Sequence, residues 1–201
     1  MKNVYESCPM FENDRFLLRF VKEDDAGDLL EVYSDKNALP FFNSDNCDGD
    51  NFYYPDIAGM KNAIDFWLRS YETKWFVRWT VMDKNISKAI GTIEMFHREA
   101  DDDFNHVGVM RLDVRSDYEK SEILQELFEL FVPQAYELFD CNEIITKIPL
   151  YAVERINAAQ SCGFTKSEKL LVGTNDHYAY NGYWVIDNSR ISASDERNIL
   201  K

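Results

Sequence analysis

The N-terminal part of the chain combines one short apolar run with two stretches of helical periodicity. Residues 15–22 are mostly apolar, which is typical of a strand. Acidic residues that favour a helix N-terminus follow, and apolar residues then recur at helical spacing, so we expect a helix over about 24–34. The same spacing predicts a second helix over 58–72, after the polar, turn-rich loop 43–56.

Three runs rich in β-branched and aromatic residues occupy the middle of the chain. They predict consecutive strands over 75–82, 89–96 and 107–114. A short polar turn of the kind found in hairpins separates the first two, and an acidic loop joins the second to the third. An antiparallel run of three strands is therefore expected.

The C-terminal part begins with a long apolar stripe. It predicts a helix over 121–139 that lies against a sheet, and Pro133 is expected to kink or split this helix because proline removes one backbone hydrogen bond. A β-branched strand over 143–148 and a short helix over about 152–161 follow. The remaining predicted strands are one that begins at Phe164 and one over 183–186.

This order of elements indicates a mixed α/β (α+β) fold with a mostly antiparallel central sheet flanked by helices. A length of 201 residues fits one domain. We place that domain at 1–187 and a polar C-terminal tail at 188–201.

The charge balance narrows the range of partners. Asp and Glu number 36 against 22 Lys and Arg, and a net charge of -14 repels phosphate backbones, so we expect no nucleic-acid partner. A cationic acceptor is weakly favoured, although acidic surfaces commonly serve solubility. No apolar run approaches the ~18 residues of a membrane span, so we expect a cytoplasmic protein without membrane association.

Cysteine and histidine, the usual side chains of structural zinc sites, are few in the sequence. The four cysteines lie far apart, without the paired spacing of zinc ligands, so we expect free thiols and no metal. His97 and His106 flank the acidic loop and could titrate near neutral pH, with simple solvent exposure as the alternative.

Four segments carry a resemblance to a known family. They are RFLLRFVKEDDAGDLLEVYSD at 15–35, IGTIEMF at 90–96, LDVRSDYEKSEILQELFELF at 112–131 and CGF at 162–164. In order and spacing they resemble the GNAT superfamily of acyl-CoA-dependent N-acetyltransferases, especially the ribosomal-protein N-terminal acetyltransferases. The resemblance covers roughly residues 15–186 and implies a GNAT-like sheet.

The resemblance also implies a CoA site between two strands. In the family, the strand that here ends near Val114 separates from its neighbour, and its free backbone groups bind the pantetheine arm of the cosubstrate acetyl-CoA. The next turn and helix N-terminus hold the pyrophosphate, because unpaired N–H groups and the helix dipole favour an anion. The residues implied for this site are Leu112, Val114, Glu119, Lys120, Ser121, Glu122, Ile123, Leu124 and Arg155.

The sequence departs from the family at the phosphate loop. The family's loop carries glycines that let the backbone approach phosphate, whereas residues 118–123 contain none. Glu119 and Glu122 place negative charge where the pyrophosphate would lie, and Lys120 would partly offset it. The CoA loop is therefore degenerate. On the following short helix, Arg155 is a candidate phosphate contact, with a surface arginine as the alternative.

Acetyl transfer to an amine needs a base that removes the ammonium proton, donors for the oxyanion and, to a lesser degree, an acid for the thiolate. Glu94, in the strand next to the CoA strand, is our candidate base and Asp113 its rival. Tyr151, which follows a strand, is the candidate acid. For Glu94 the alternative is an ordinary polar strand position, and for Tyr151 a half-buried tyrosine. The aromatic residues that could line an acceptor pocket include Tyr53, Tyr54, Trp67, Trp75 and Trp79, with a place in the core as the alternative.

The sequence thus favours an acetyl-CoA-dependent N-acetyltransferase. Its acceptor would be a primary amine, either a peptide N-terminus or a small amine, that attacks the thioester directly. The alternative, which the acidic and glycine-free loop favours, is a noncatalytic binding or scaffolding protein on the same fold that has lost CoA binding. A monomer or homodimer is expected in either case.

Overall fold

The structure is a computed structural model that describes residues 3–188, in which a large mixed sheet carries helices on both faces. The strands of the large sheet are β1 (Phe11–Glu12), β2 (Phe16–Phe20), β3 (Val77–Asp83), β4 (Lys88–Arg98), β5 (Val107–Val114), β6 (Glu143–Lys147), β7 (Thr165–Lys166) and β10 (Tyr183–Asp187). A small second sheet pairs β8 (Leu171–Val172) with β9 (Ala179–Tyr180).

The large sheet has the strand order β1-β2-β3-β4-β5-β6-β10-β7. Its neighbouring strands run antiparallel except for β5 and β6, which are parallel. The chain reaches β6 through a long helix, because parallel neighbours need a crossover connection. The sheet is therefore mixed and mostly antiparallel, which confirms the predicted fold class.

In the described part of the chain, four α-helices cover the sheet. They are α1 (Ala26–Tyr33), α2 (Ile57–Glu72), α3 (Ser121–Leu138) and α4 (Val153–Ser161). Helices α3 and α4 share a hydrophobic core with one face of the sheet, and α1 and α2 form a second core on the other side. Within residues 3–188, no helix combines the length and the apolar character needed to cross a membrane.

The predicted helices and long strands are confirmed to within about two residues. Pro133 does not split its helix, since α3 is one continuous helix from Ser121 to Leu138, and a kink at Pro133 stays a prediction. Pro133 lies on the exposed side of α3 and cannot donate a backbone hydrogen bond. The buried stripe on the other side packs against the sheet and keeps the helix continuous past this position. The division at residue 187 stays a prediction, because 189–201 lie outside the described residues.

Candidate active site

The parallel strands β5 and β6 separate halfway along β5. Their pairing begins at Val107 and Glu143 and ends at Met110 and Thr146, whereas β5 continues alongside β4 as far as Val114. Residues 111–114 of β5 therefore border a space that β6 leaves open, which we call the notch. This is the separation that the family resemblance implies.

The side chain of Arg155 fills the notch. Its guanidinium donates a hydrogen bond of 2.6 Å to the backbone carbonyl of Leu112, on the edge of β5 that faces the missing strand. It also forms an ion pair with Glu119, and Arg155 is only 2% exposed. The backbone acceptor expected to meet pantetheine is therefore already satisfied from within the chain.

The N-terminus of α3 is also satisfied from within. The Glu154 carboxylate accepts a 2.8 Å bond from the backbone N–H of Ser121 and a second bond from its hydroxyl. The hydrogen bond from the Ser121 hydroxyl is the main reason that the pKa of Glu154 is lowered. The N–H groups of Ile123 and Leu124 donate to the carbonyl of Lys120, at 3.1 and 3.0 Å. A carboxylate thus lies at the helix end where an anion is expected.

The predicted CoA residues are only partly brought together. Leu112, Glu119, Ser121 and Arg155 meet around the notch through the contacts above. Val114, Ile123 and Leu124 are buried in the core, and Lys120 and Glu122 are exposed. Sequence reasoning missed Glu154, although it is next to Arg155 in the chain.

A row of charged side chains crosses the other face of the sheet. Arg78 of β3, Glu94 of β4 and Arg111 of β5 are direct cross-strand partners, so their side chains lie side by side. Glu94 forms an ion pair with Arg78, and a 2.6 Å bond joins its Oε1 to Arg111. We call these three residues the charged row.

The charged row makes Glu94 a poor base. Its side chain is 2% exposed, and this burial by itself would raise its pKa. The guanidinium groups of Arg78 and Arg111 outweigh burial and lower the pKa, since both stabilise the carboxylate. A base with a lowered pKa removes an ammonium proton less well, so the geometry does not favour the predicted role of Glu94.

Asp113 and Tyr151 lie in very different surroundings. Asp113 is fully buried, and its carboxylate accepts a 2.9 Å bond from the hydroxyl of Tyr33 on α1. Burial raises the pKa of Asp113 in spite of nearby Arg78. Tyr151 is 63% exposed, and its hydroxyl donates to the carbonyl of Pro40 at 2.6 Å. Their catalytic roles stay predictions.

An open cavity of about 360 Å³ lies on the face of the sheet that carries the charged row. All three residues of the row line it, and aromatic side chains form much of its wall. The aromatic lining residues are Phe52, Tyr54, Phe66, Trp67, Trp75, Phe76 and Phe96. Three of the five aromatic residues expected in an acceptor pocket are therefore present. We call this space the aromatic cavity.

The other two expected aromatic residues lie elsewhere. Trp79 belongs to the core on the opposite side of the sheet, because it follows Arg78 directly and successive strand residues face opposite ways. Tyr53 is not among the lining residues.

A loop after α1 closes one side of the aromatic cavity. The Asp45 carboxylate binds Lys147 of β6 at 2.6 Å and accepts a 3.1 Å bond from Tyr183 of β10. Its backbone carbonyl accepts a 2.9 Å bond from Arg111. The same loop supplies Asp48 and Asp50 to the cavity lining. The loop that the sequence showed only as polar is thus held against three strands, at the end of β6, at the start of β10 and in the middle of β5.

These features match the class of protein that the sequence resembles: a sheet that opens between parallel strands at a helix N-terminus, with a separate cavity on its other face. The sequence is matched over residues 15–165 by the family model of the acetyltransferase (GNAT) domain, so the chain belongs to the GNAT acetyltransferase family. Members of this family transfer acetyl groups from acetyl-CoA. No curated protein sequence matches the chain significantly.

Solved structures with the same fold include ribosomal-protein acetyltransferases. The ribosomal-protein-S5-alanine acetyltransferase of Vibrio fischeri is 18% identical, with a TM-score of 0.65 over 90% of this chain and 97% of that chain. Mycobacterium smegmatis RimJ, in complex with CoA-disulfide, is 10% identical, with a TM-score of 0.66 over 88% and 83%. Mutant forms of the spermidine/spermine N-acetyltransferase SpeG of Vibrio cholerae are 12% identical, with a TM-score of 0.61 over 91% and 99%. At these identities the likeness shows the fold.

Proposed function

We propose that the protein is an acetyl-CoA-dependent N-acetyltransferase whose acceptor is a primary amine, either a small amine or a peptide N-terminus. In the proposed reaction the amine attacks the thioester directly. The observation that carries the proposal is that side chains of the protein already occupy both places expected for CoA. The notch holds a hydrogen-bond donor, as the amide N–H of pantetheine is, and the N-terminus of α3 holds an anion, as the pyrophosphate is.

Two internal contacts support the donor half of the proposal. The Glu154 carboxylate receives the N–H of Ser121, as a pyrophosphate oxygen would at a helix N-terminus. A guanidinium N–H of Arg155 donates to the carbonyl of Leu112, as an amide N–H of pantetheine would. The residues therefore fit CoA in polarity, and both side chains have to withdraw before CoA enters.

The aromatic cavity supports the acceptor half of the proposal. Aromatic faces attract an ammonium group, and the carboxylates of Asp48 and Asp50 in the lining complement its charge. Glu94 neutralises part of the charge of Arg78 and Arg111, which would otherwise repel a cation. We assign Glu94 this positioning role in place of the role of general base.

A noncatalytic amine-binding protein that has lost CoA binding is the second candidate. The observation that favours it is the burial of the pair of Arg155 with Glu119, whose side chains are 3% and 6% exposed. Separating a buried ion pair costs about 3–5 kcal/mol. A cost of that size would lower the affinity for CoA by more than about a hundredfold.

Calorimetric titration with CoA separates the two candidates. The double variant Glu119→Gln/Arg155→Met removes both charges at once, so that neither is left buried without a partner. If the acetyltransferase proposal holds, the wild type binds CoA, and it releases free thiol when acetyl-CoA and an amine are supplied. The double variant then binds CoA at least about tenfold more tightly than the wild type, because its notch is open.

The double variant Arg115→Met/Asp117→Asn is the matched control. It removes an ion pair from the turn before α3 without touching the notch, so its affinity for CoA should equal that of the wild type. Absence of CoA binding in the wild type and in Glu119→Gln/Arg155→Met would overturn the acetyltransferase proposal. Thiol release by the wild type would overturn the second candidate.

A further inference from the structure

Two of the protein's three histidines meet at the end of the β4–β5 hairpin, away from the notch and the aromatic cavity. His97 is in β4, and His106 directly precedes β5. Glu99 lies between them, with its Oε1 3.7 Å from Nε2 of His97 and 3.6 Å from Nδ1 of His106. One ligand atom from each of the three side chains lies within 4.8 Å of the other two.

The hydrogen bond of His97 determines which of its nitrogens is free. Its Nδ1 is 2.7 Å from the carbonyl of Phe139, at the end of α3. A carbonyl oxygen only accepts, so Nδ1 carries the proton and Nε2 of the neutral ring has a lone pair. That lone pair and the Glu99 carboxylate are both acceptors, and at 3.7 Å they share no hydrogen bond. A cation between them would satisfy both.

This arrangement also matches the outer shell of protein zinc sites. A histidine that binds a metal through one nitrogen commonly donates its other N–H to a carbonyl or carboxylate, which fixes the ring and raises its basicity. The Phe139 carbonyl provides this contact for His97.

The loop that carries two of the three ligands is held rigidly. Arg98 forms an ion pair with Asp102, with 2.6 Å from Nη1 to Oδ1, and also donates to the carbonyls of Phe104 and Val172. This buried arginine ties the loop to both sheets. The ligands therefore belong to a preorganised segment, as a specific site requires.

We propose that His97, Glu99 and His106 form a binding site for a divalent transition-metal ion, with Zn²⁺ as the preferred ion. Zinc bonds of roughly 2.0–2.2 Å place tetrahedral ligands about 3.3–3.6 Å from one another, so the two separations from Glu99, 3.7 and 3.6 Å, need only a small contraction. Two imidazoles and one carboxylate suit Zn²⁺ and disfavour Mg²⁺, which prefers oxygen ligands. Water would occupy the fourth position.

Titration of the untagged full-length protein with ZnCl2 by calorimetry tests the site. We expect one ion per chain for the wild type and no binding of MgCl2. The variants His106→Asn and Glu99→Gln should bind Zn²⁺ more than about tenfold more weakly, because even loss of an outer-shell partner costs ~10–100-fold. Both side chains are exposed, at 64% and 69%, and asparagine tolerates the positive φ of 54° at position 106, so the fold should be retained.

His177→Asn is the matched control. His177 is the third histidine, is exposed and also has a positive φ, of 59°, but it is not part of the cluster. Its variant should bind Zn²⁺ like the wild type, and the Cu²⁺-loaded wild type should show coupling to two imidazole nitrogens by electron paramagnetic resonance. Three results would each overturn the proposal: no Zn²⁺ binding by the wild type, wild-type affinity in His106→Asn, or equal loss in His177→Asn.

Discussion

Glu94 and Asp113 both lie close to Arg78, yet their pKa values move in opposite directions. Burial raises the pKa of each, but Glu94 has two arginine partners that together outweigh burial. Asp113 has one more distant contact, 3.4 Å from Arg78, and burial prevails. The number of cationic partners therefore decides the direction in which the pKa of each carboxyl group moves.

Because of this difference, two matched substitutions should lower the free energy of unfolding by unequal amounts. Glu94→Gln leaves Arg78 and Arg111 buried without a counter-charge and should lower the free energy of unfolding by about 3–5 kcal/mol. Asp113→Asn removes a charge that burial disfavours and that has only one direct cationic contact, so it should lower the free energy of unfolding by at least about 2 kcal/mol less. Urea denaturation at pH 7 measures both, and equal costs would contradict this assignment.

The pH dependence of Glu94→Gln follows from the same shift. Because the pKa of Glu94 is lowered by folding, its charge stabilises the fold fully above the unfolded value of ~4.3. This contribution is lost as pH falls through the lower folded pKa. The difference in free energy of unfolding between the wild type and Glu94→Gln should therefore be constant from pH 7 down to about 5 and shrink below about 4.

Sequence reasoning found the positions of these residues and missed their partners. Helical and strand periodicity placed Glu94 and Asp113 on neighbouring strands, as observed. The partners of Glu94 depend on which residues of β3 and β5 lie opposite, and strand register is a tertiary property. The core position of Trp79 could have been predicted from the alternation of side chains along its strand, because Trp79 directly follows Arg78, whose side chain lies on the other face.

At the scale of elements, prediction succeeded where periodicity extends over several turns. Helix α3 was found because its apolar stripe continues past Pro133. The missed strands β1, β8 and β9 have two residues each, and such a length is too short to show any alternation. Such short strands form because the tertiary fold brings another backbone segment within hydrogen-bonding distance, and local sequence does not determine that distance.

Pro133 offers a test of how tertiary packing supports α3. Pro133→Ala restores the backbone N–H that the helix interior lacks and should raise the free energy of unfolding by about 1–3 kcal/mol. Glu137→Ala, at another exposed position of the same helix, should change it by no more than about 0.5 kcal/mol. Thermal and urea denaturation measure both variants, and a loss of stability in Pro133→Ala would show that the ring makes a required contact.

For the whole molecule, a net charge of -14 should favour the approach of a cationic acceptor to the aromatic cavity. The affinity for a small primary amine, the proposed acceptor, should therefore fall in calorimetric titrations as NaCl is raised. Asp48→Asn removes a charge from the cavity lining and should weaken binding about fivefold, the equivalent of ~1 kcal/mol.

Asp140→Asn is the control for this test. Asp140 is exposed and has a positive φ of 47°, close to the 52° of Asp48, but it does not line the cavity. Equal weakening in Asp140→Asn would mean that overall charge, and not the cavity, governs binding.

The overall architecture was predictable because the order of elements and the family resemblance agree. The ion pair that fills the notch was not predictable in the same way. Glu119 and Arg155 are 36 positions apart, and their pairing depends on how α4 packs beside α3. One signal was available: Glu119 stands where the family resemblance implies a glycine-rich loop, and Arg155 carries the opposite charge on the short helix that follows. Considering these two charges together would have suggested an internal ion pair.

The arginine in the notch has a consequence for any ligand that enters the same space. Arg155 behaves as a tethered competitor, present at a fixed local concentration that dilution cannot lower. Each ~1.4 kcal/mol by which the chain prefers this internal occupant weakens the external ligand tenfold. Substitutions in the first turn of α4 could thus tune affinity over orders of magnitude without altering a single atom that touches the bound molecule.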